Sequence, residues 1–142
     1  MDSYRAPRWL PGGHLQTIYA AKLMPLPDVA YHDYEGPALN LDERARLVAD
    51  LGEREAMILR NHGLLTVGPS IPESFNNMFR LERACQLQVT ALSCNTELQY
   101  PPEEVVKYSN EQMRSGNRRR YGLLEWPAML RKLDRIDPSY QN

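Results

Sequence analysis

The chain has 142 residues, 42% of them hydrophobic and 25% charged, with 17 basic side chains against 18 acidic ones and a formal net charge of -1. These figures describe one ordinary folded domain, large enough to bury about 68–70% of its unfolded surface without metals or disulfides. The balanced charge offers no basic face to a phosphate backbone, which argues against nucleic acid, and no apolar run approaches the ~20 residues that span a bilayer. The opening Met1-Asp2-Ser3-Tyr4-Arg5 has no uninterrupted apolar stretch of the kind found in signal peptides, so a cytoplasmic protein is expected.

Residues 1 to 40 hold Pro7, Pro11, Pro25, Pro27 and Pro37 with Gly12, Gly13 and Gly36, a density that forbids a long helix. Two short turns within Leu15 to Leu23 are the exception. From Asn40 the character changes. Asn40 and Glu43 have capping-box spacing, and Ala45, Leu47, Val48 and Leu51 follow in helical period until Gly52. Ala56-Met57-Ile58-Leu59 and Leu64-Leu65-Thr66-Val67 are short apolar runs on either side of Arg60-Asn61-His62-Gly63, which predicts a strand pair about a turn.

Gly68-Pro69 ends the second strand, and Ser70 with Glu73 forms another capping-box pair around a Pro72 that the first helical turn tolerates. A long helix is predicted from about Ile71 to Ser93. Its apolar stripe is read as Phe75, Met78, Phe79, Cys85, Val89 and Leu92, with Glu82, Arg83 and Gln86 turned to water or to a neighbouring subunit. Cys85 and Cys94 lie nine residues apart on one helix, roughly 13 Å, too far to bridge, and read as reduced thiols. Pro101-Pro102-Glu103-Glu104 starts a further helix through Met113, acidic at its positive end, and Ser115-Gly116-Asn117 stops it. A last helix, around Leu123 to Arg135, uses Leu123, Trp126, Leu130 and Leu133, with Pro127 marking a kink or its true first turn.

Asn61-His62-Gly63 is the segment whose wording favours chemistry over packing. A histidine at a strand end, beside a glycine that frees the backbone, aims an imidazole into a cleft, although a polar turn has the same composition. Zinc catalysis takes three protein ligands and an open fourth position, of which His62 provides one. Arg118-Arg119-Arg120 reads as a solvated surface, and Glu103-Glu104 as a favourable helix start.

Val29-Ala30-Tyr31-His32-Asp33-Tyr34-Glu35-Gly36, Ile58-Leu59-Arg60-Asn61-His62-Gly63-Leu64, Val67-Gly68 with Ser70-Ile71, and Ala84-Cys85-Gln86 before Gln88-Val89 together resemble the class II aldolase and adducin head-domain family. The ending, from Glu125-Trp126-Pro127-Ala128 to Ser139-Tyr140, resembles the C-terminal segment of bacterial members, and the similarity covers about residues 29 to 142. It implies an α/β fold, here a partial α/β/α layered domain with a short, largely antiparallel sheet and C-terminal helices. Family members form tetramers with active sites between neighbouring subunits, so a homo-oligomer is expected.

The resemblance further implies a divalent metal, usually zinc, held by three histidines and acting as a Lewis acid on an enediolate during retro-aldol cleavage of a small hydroxy-carbonyl or sugar-phosphate substrate. The histidine of the Asn-His-Gly segment is one of those ligands and carries over to His62. Tyr34 matches a tyrosine that serves some members as acid or base. Those members also carry a His-x-His pair, and this sequence has none, its other histidines being His14 and His32. A truncated domain, inactive as a lone chain, is therefore the expectation. His32 is read as a hydrogen-bonding residue and His14 as structural or on the surface. The donors available near His62 are His14, His32, Asp33 and Glu35, and lyase activity in the lone chain requires at least two of them to converge on it.

Ala6-Pro7-Arg8-Trp9-Leu10-Pro11-Gly12-Gly13-His14-Leu15-Gln16-Thr17-Ile18 is similar to the leader of a bacterial α/β-hydrolase family, but no Gly-x-Ser-x-Gly nucleophile elbow accompanies it. Residues 1–28 are thus expected to be an irregular leader and 29–142 the aldolase-like domain, joined as a chimera. The competing reading is a non-catalytic, adducin-like binding or oligomerisation domain.

Overall fold

The computed structural model describes residues 29–37, 39–93, 101–113 and 119–141. The expected leader and its turns, Cys94, the Ser115-Gly116-Asn117 stop and Arg118 lie outside the described residues.

An apolar run without alternation marks a strand covered on both faces. Ala56–Leu59 is such a strand and lies in the middle of a three-stranded sheet. We label the elements β1 (Ala30–His32), α1 (Glu43–Leu51), β2 (Ala56–Leu59), β3 (Gly63–Thr66), α2 (Ile71–Ser93), α3 (Glu103–Met113) and α4 (Glu125–Ile136), followed by a 3-10 turn at Pro138–Gln141. β2 and β3 form the predicted antiparallel hairpin, from Ala56↔Thr66 to Leu59↔Gly63. β1 joins the other side of β2 in parallel, pairing Ala30 with Met57 and His32 with Leu59, and α1 makes the crossover between them.

The core is small. Ala56 and Met57 have no exposed surface, and Ala56 packs on the fully buried Leu81 and Ala84 of α2, with Val29, Leu64 and Cys85 around them. The polar ends of α2 and the hairpin are sewn together. The Thr66 hydroxyl donates to the Ser74 carbonyl at 3.0 Å, the Ser74 hydroxyl donates to the Thr66 carbonyl at 3.1 Å, and buried Asn77 donates to Glu55 and to the Val67 carbonyl. These bonds set the rotation of α2. Its buried face is Leu81, Ala84, Asn77 and Gln88, whereas Phe75 and Phe79 of the expected stripe are 44% and 58% exposed.

Two capping expectations resolve differently. Asn40 accepts from the Asp42 backbone N–H in a local turn, and Glu43 turns inward instead of back to Asn40, so the α1 box does not form. At α2 the Ser70 hydroxyl donates directly to the Glu73 carboxylate at 2.7 Å, and Pro72 occupies the first turn as expected.

Arg119 and Arg120, read as a solvated surface, are structural instead. Glu73 is 8% exposed and receives a two-pronged bond from Arg120, at 2.8 and 2.6 Å. Arg119 lies over the Tyr121 ring and forks onto Glu125, which also accepts from the Gly122 backbone N–H at 2.9 Å. The Arg119 guanidinium, with backbone N–H groups behind it, holds the Glu125 carboxyl down to about 2. This short segment therefore clamps the start of α4 against the start of α2. Trp126 meets Phe75 edge-on at 5.3 Å, and Pro127 falls in the first turn of α4.

Gly122 makes the clamp possible. Its φ is +100°, and a Cβ there would sit 2.2 Å from the Pro72 carbonyl oxygen. Gly122→Ala is expected to destabilise the chain by about 2–4 kcal/mol through strain and overpacking. Gly36→Ala, at φ +106° but with nothing within 4 Å, is expected to cost clearly less. Urea unfolding midpoints of the two variants check the difference.

Candidate functional site

The hairpin turn runs through Arg60, Asn61 and His62, closed by Leu59↔Gly63 pairing and by the His62 N–H donating to the Leu59 carbonyl at 3.1 Å. Asn61 has φ 56° and is the single non-glycine residue with positive φ among the described residues. Asparagine tolerates that left-handed geometry better than most residues because its short polar side chain bonds locally. The bend leaves His62 exposed at the end of the buried strand. The Arg60 N–H donates to the His32 carbonyl at 2.9 Å, which extends the β1 pairing and brings the Tyr34 loop beside the turn. His62 and Tyr34 consequently line one small pocket of about 60 Å³, with His32, Glu43, Leu47 and Arg60.

Of the other local donors, His32, Asp33 and Glu35 do not converge on His62, and His14 lies outside the described residues. His32 is 4% exposed and its Nδ1 lies 2.7 Å from Asp50 of α1, while its Nε2 is 3.4 Å from Glu43 and 4.0 Å from Glu35 without making a hydrogen bond. Burial pushes the imidazole pKa down, but contacts with Asp50 and Glu43 and the charges of Asp50 and Glu35 outweigh it and hold the pKa above the ordinary histidine value. Glu35 forks with Arg46, which lowers the Glu35 carboxyl, and Asp33 pairs with Arg60 at 2.9 Å. Among the described residues no three His, Cys, Asp or Glu side chains are placed to hold a metal ion. One donor does not make a metal centre, so the described residues do not fit the metal that the resemblance implies.

His32 is thus the hydrogen-bonding residue expected from sequence, and its partners Asp50 and Glu43 went unrecognised. The missed signal is local. Glu43, Arg46 and Asp50 recur on one face of α1 at helical spacing, a charged face that reads as solvated until a buried histidine lies against it. Cys85 is a free thiol whose burial, with Glu82 adding to it, pushes its pKa up to about 11, the opposite of what a nucleophile needs. On the far side of α2, Phe75, Phe79, Leu87, Trp126 and Met129 line an open apolar groove of about 470 Å³. No described helix is long and apolar enough to cross a membrane.

A buried strand that ends in an Asn-His-Gly turn, beside a parallel strand and before a long helix, matches a family that comparison with known proteins identifies. Residues 10–89 match the model of the class II aldolase and adducin N-terminal domain, and the chain belongs to that family. It is 50% identical over 119 residues to a Caulobacter vibrioides protein assigned to aldolase class 2, covering 83% of this chain and 46% of that protein. Mouse alpha-adducin is 44% identical over 69 residues, covering 48% of this chain and 9% of the adducin. A solved aldolase II superfamily protein from Pseudomonas syringae superposes with a TM-score of 0.73 at 44% identity, covering 88% of this chain and 48% of that one. The chain therefore spans about half the length of the bacterial relatives it matches.

The turn geometry makes a direct prediction. Asn61→Val forces a β-branched residue to positive φ and is expected to destabilise by about 1–2 kcal/mol, whereas Asn61→Gly is near neutral. Urea unfolding of the pair measures this, and equal losses in both variants would mean that the Asn61 side chain, not its backbone, holds the turn.

Proposed function

We propose that this chain supplies one corner, His62 with Tyr34, of an aldehyde-lyase site of the class II aldolase type. The substrate class is a small hydroxy-carbonyl compound or sugar phosphate, the metal is zinc and the compartment is the cytoplasm. The observation that carries this reading is the pre-set Asn61-His62-Gly63 turn facing Tyr34 across one pocket. Tyr34 is half exposed, so its hydroxyl is accessible for a proton transfer to a bound substrate. The remaining donors come from a second polypeptide segment, so the 142-residue chain alone is inactive.

The competing reading, an adducin-like domain for binding and oligomerisation, is favoured by the open groove of Phe75, Phe79 and Trp126 and by the adducin identity. In either case we propose a homo-oligomer, since an apolar groove of this kind invites a partner.

The two readings separate by complementation. The chain is mixed with the part of the Caulobacter vibrioides relative that lies outside the matched region, in the presence of zinc, and aldehyde release from candidate sugar phosphates is followed. The lyase reading predicts release that His62→Ala abolishes and that Tyr34→Phe lowers about 100-fold. An inert mixture, or activity indifferent to His62→Ala, supports the binding domain instead.

A further inference from the structure

Helix α1 buries no residue, yet it packs along β1 and walls the pocket that holds Tyr34 and His62. What fastens it is polar. His32 of β1, itself buried, faces Asp50 and Glu43 on α1 and Glu35 on the connecting loop. Arg46 of α1 is committed to Glu35, and Arg60 at the end of β2 lines the same cavity as His32, Asp33, Glu35, Arg46 and Asp50. His62, on the hairpin turn, and Tyr34 also border His32's pocket, with Asp33, Glu43 and Arg60.

The two protonation states of His32 differ sharply in this setting. A charged imidazole donates from Nδ1 to Asp50 and offers a second N–H toward Glu43, so α1 is held at both of its ends. A neutral imidazole that keeps its bond to Asp50 turns the Nε2 lone pair toward the Glu43 carboxylate, 3.4 Å away. Acceptor then faces acceptor at a buried site, and a helix with no buried side chain keeps only the solvent-accessible Arg46–Glu35 pair and the half-buried Leu47 to seat it.

We propose that α1 is a proton-controlled flap: protonated His32 latches it over the Tyr34 and His62 pocket, and loss of that proton releases it. The raised His32 pKa agrees with the geometry. A group raised in the folded state contributes stability fully below its unfolded value, and that contribution disappears as the pH rises through the folded value. The flap therefore closes on the acid side and opens on the alkaline side of His32's titration. This device does not depend on lyase chemistry or on a metal at His62.

Hydrogen exchange of the full chain, read by mass spectrometry at about pH 6 and about pH 9 and corrected for intrinsic rates, tests it. Residues 43–51 should lose protection by about tenfold or more at the higher pH, while residues 56–59 do not change. Glu43→Gln is the diagnostic variant. Its carboxamide donates to the neutral imidazole, so the loss of α1 protection should shrink to less than about twofold. Wild-type α1 protection that does not vary with pH would overturn the proposal. So would equal loss across 56–59, which is global unfolding, or a Glu43→Gln chain that opens as the wild type does.

Discussion

Everything described in this chain is built on one covered strand, the residues Ala56-Met57-Ile58-Leu59, of which the first three are buried. Their backbone groups pair on both sides, with β1 in parallel and β3 antiparallel, and Ala56 lies directly on Leu81 and Ala84 of the long helix. A strand covered in this way has little freedom to slip, because a shift by one residue would turn each side chain to the opposite face. The hairpin turn that follows is held by the same register, and the position of His62 is fixed by the pairing of Leu59 with Gly63.

Around that buried strand the attachments are of two kinds. The long helix is joined by apolar packing reinforced by buried polar bonds from Asn77, Ser74 and Thr66. α1 and α4, by contrast, bury no residue and are tied by charge, α1 through His32 and α4 through the Arg119 and Arg120 forks. Ion pairs with exposed partners are weak and sensitive to salt and pH, whereas those with a buried member are costly to break. The chain thus has a buried centre carrying the Asn61-His62-Gly63 turn and flanking helices that bury no residue and are held by charged contacts.

Much of this was legible in the sequence because its signals are local. The apolar runs about Arg60-Asn61-His62-Gly63 gave a hairpin, and the Ser70 and Pro72 start with the apolar period gave a helix from Ile71 to Ser93. The face that α2 buries was not legible, since its rotation is set by Asn77 reaching Glu55 and Val67 rather than by its own periodicity, and Phe75 and Phe79 are left open as a result. The same holds for Glu73. It reads as a capping residue, but its second partner, Arg120, is 47 positions away and no spacing rule reaches it. For the site, the turn and the hydrogen-bonding role of His32 could be read, while the carboxylates that face His32 needed the parallel placement of β1 beside α1 to be seen.

The central claim is that the described scaffold exposes His62 at the hairpin turn but does not by itself gather the donors of a metal centre. Its most direct test is the metal content of the purified, untagged 142-residue chain by elemental mass spectrometry, beside His62→Ala. The account predicts divalent metal far below one per chain in both proteins. A near-stoichiometric metal in the wild type that disappears in His62→Ala would contradict it, and would mean that further donors within this chain gather around the turn.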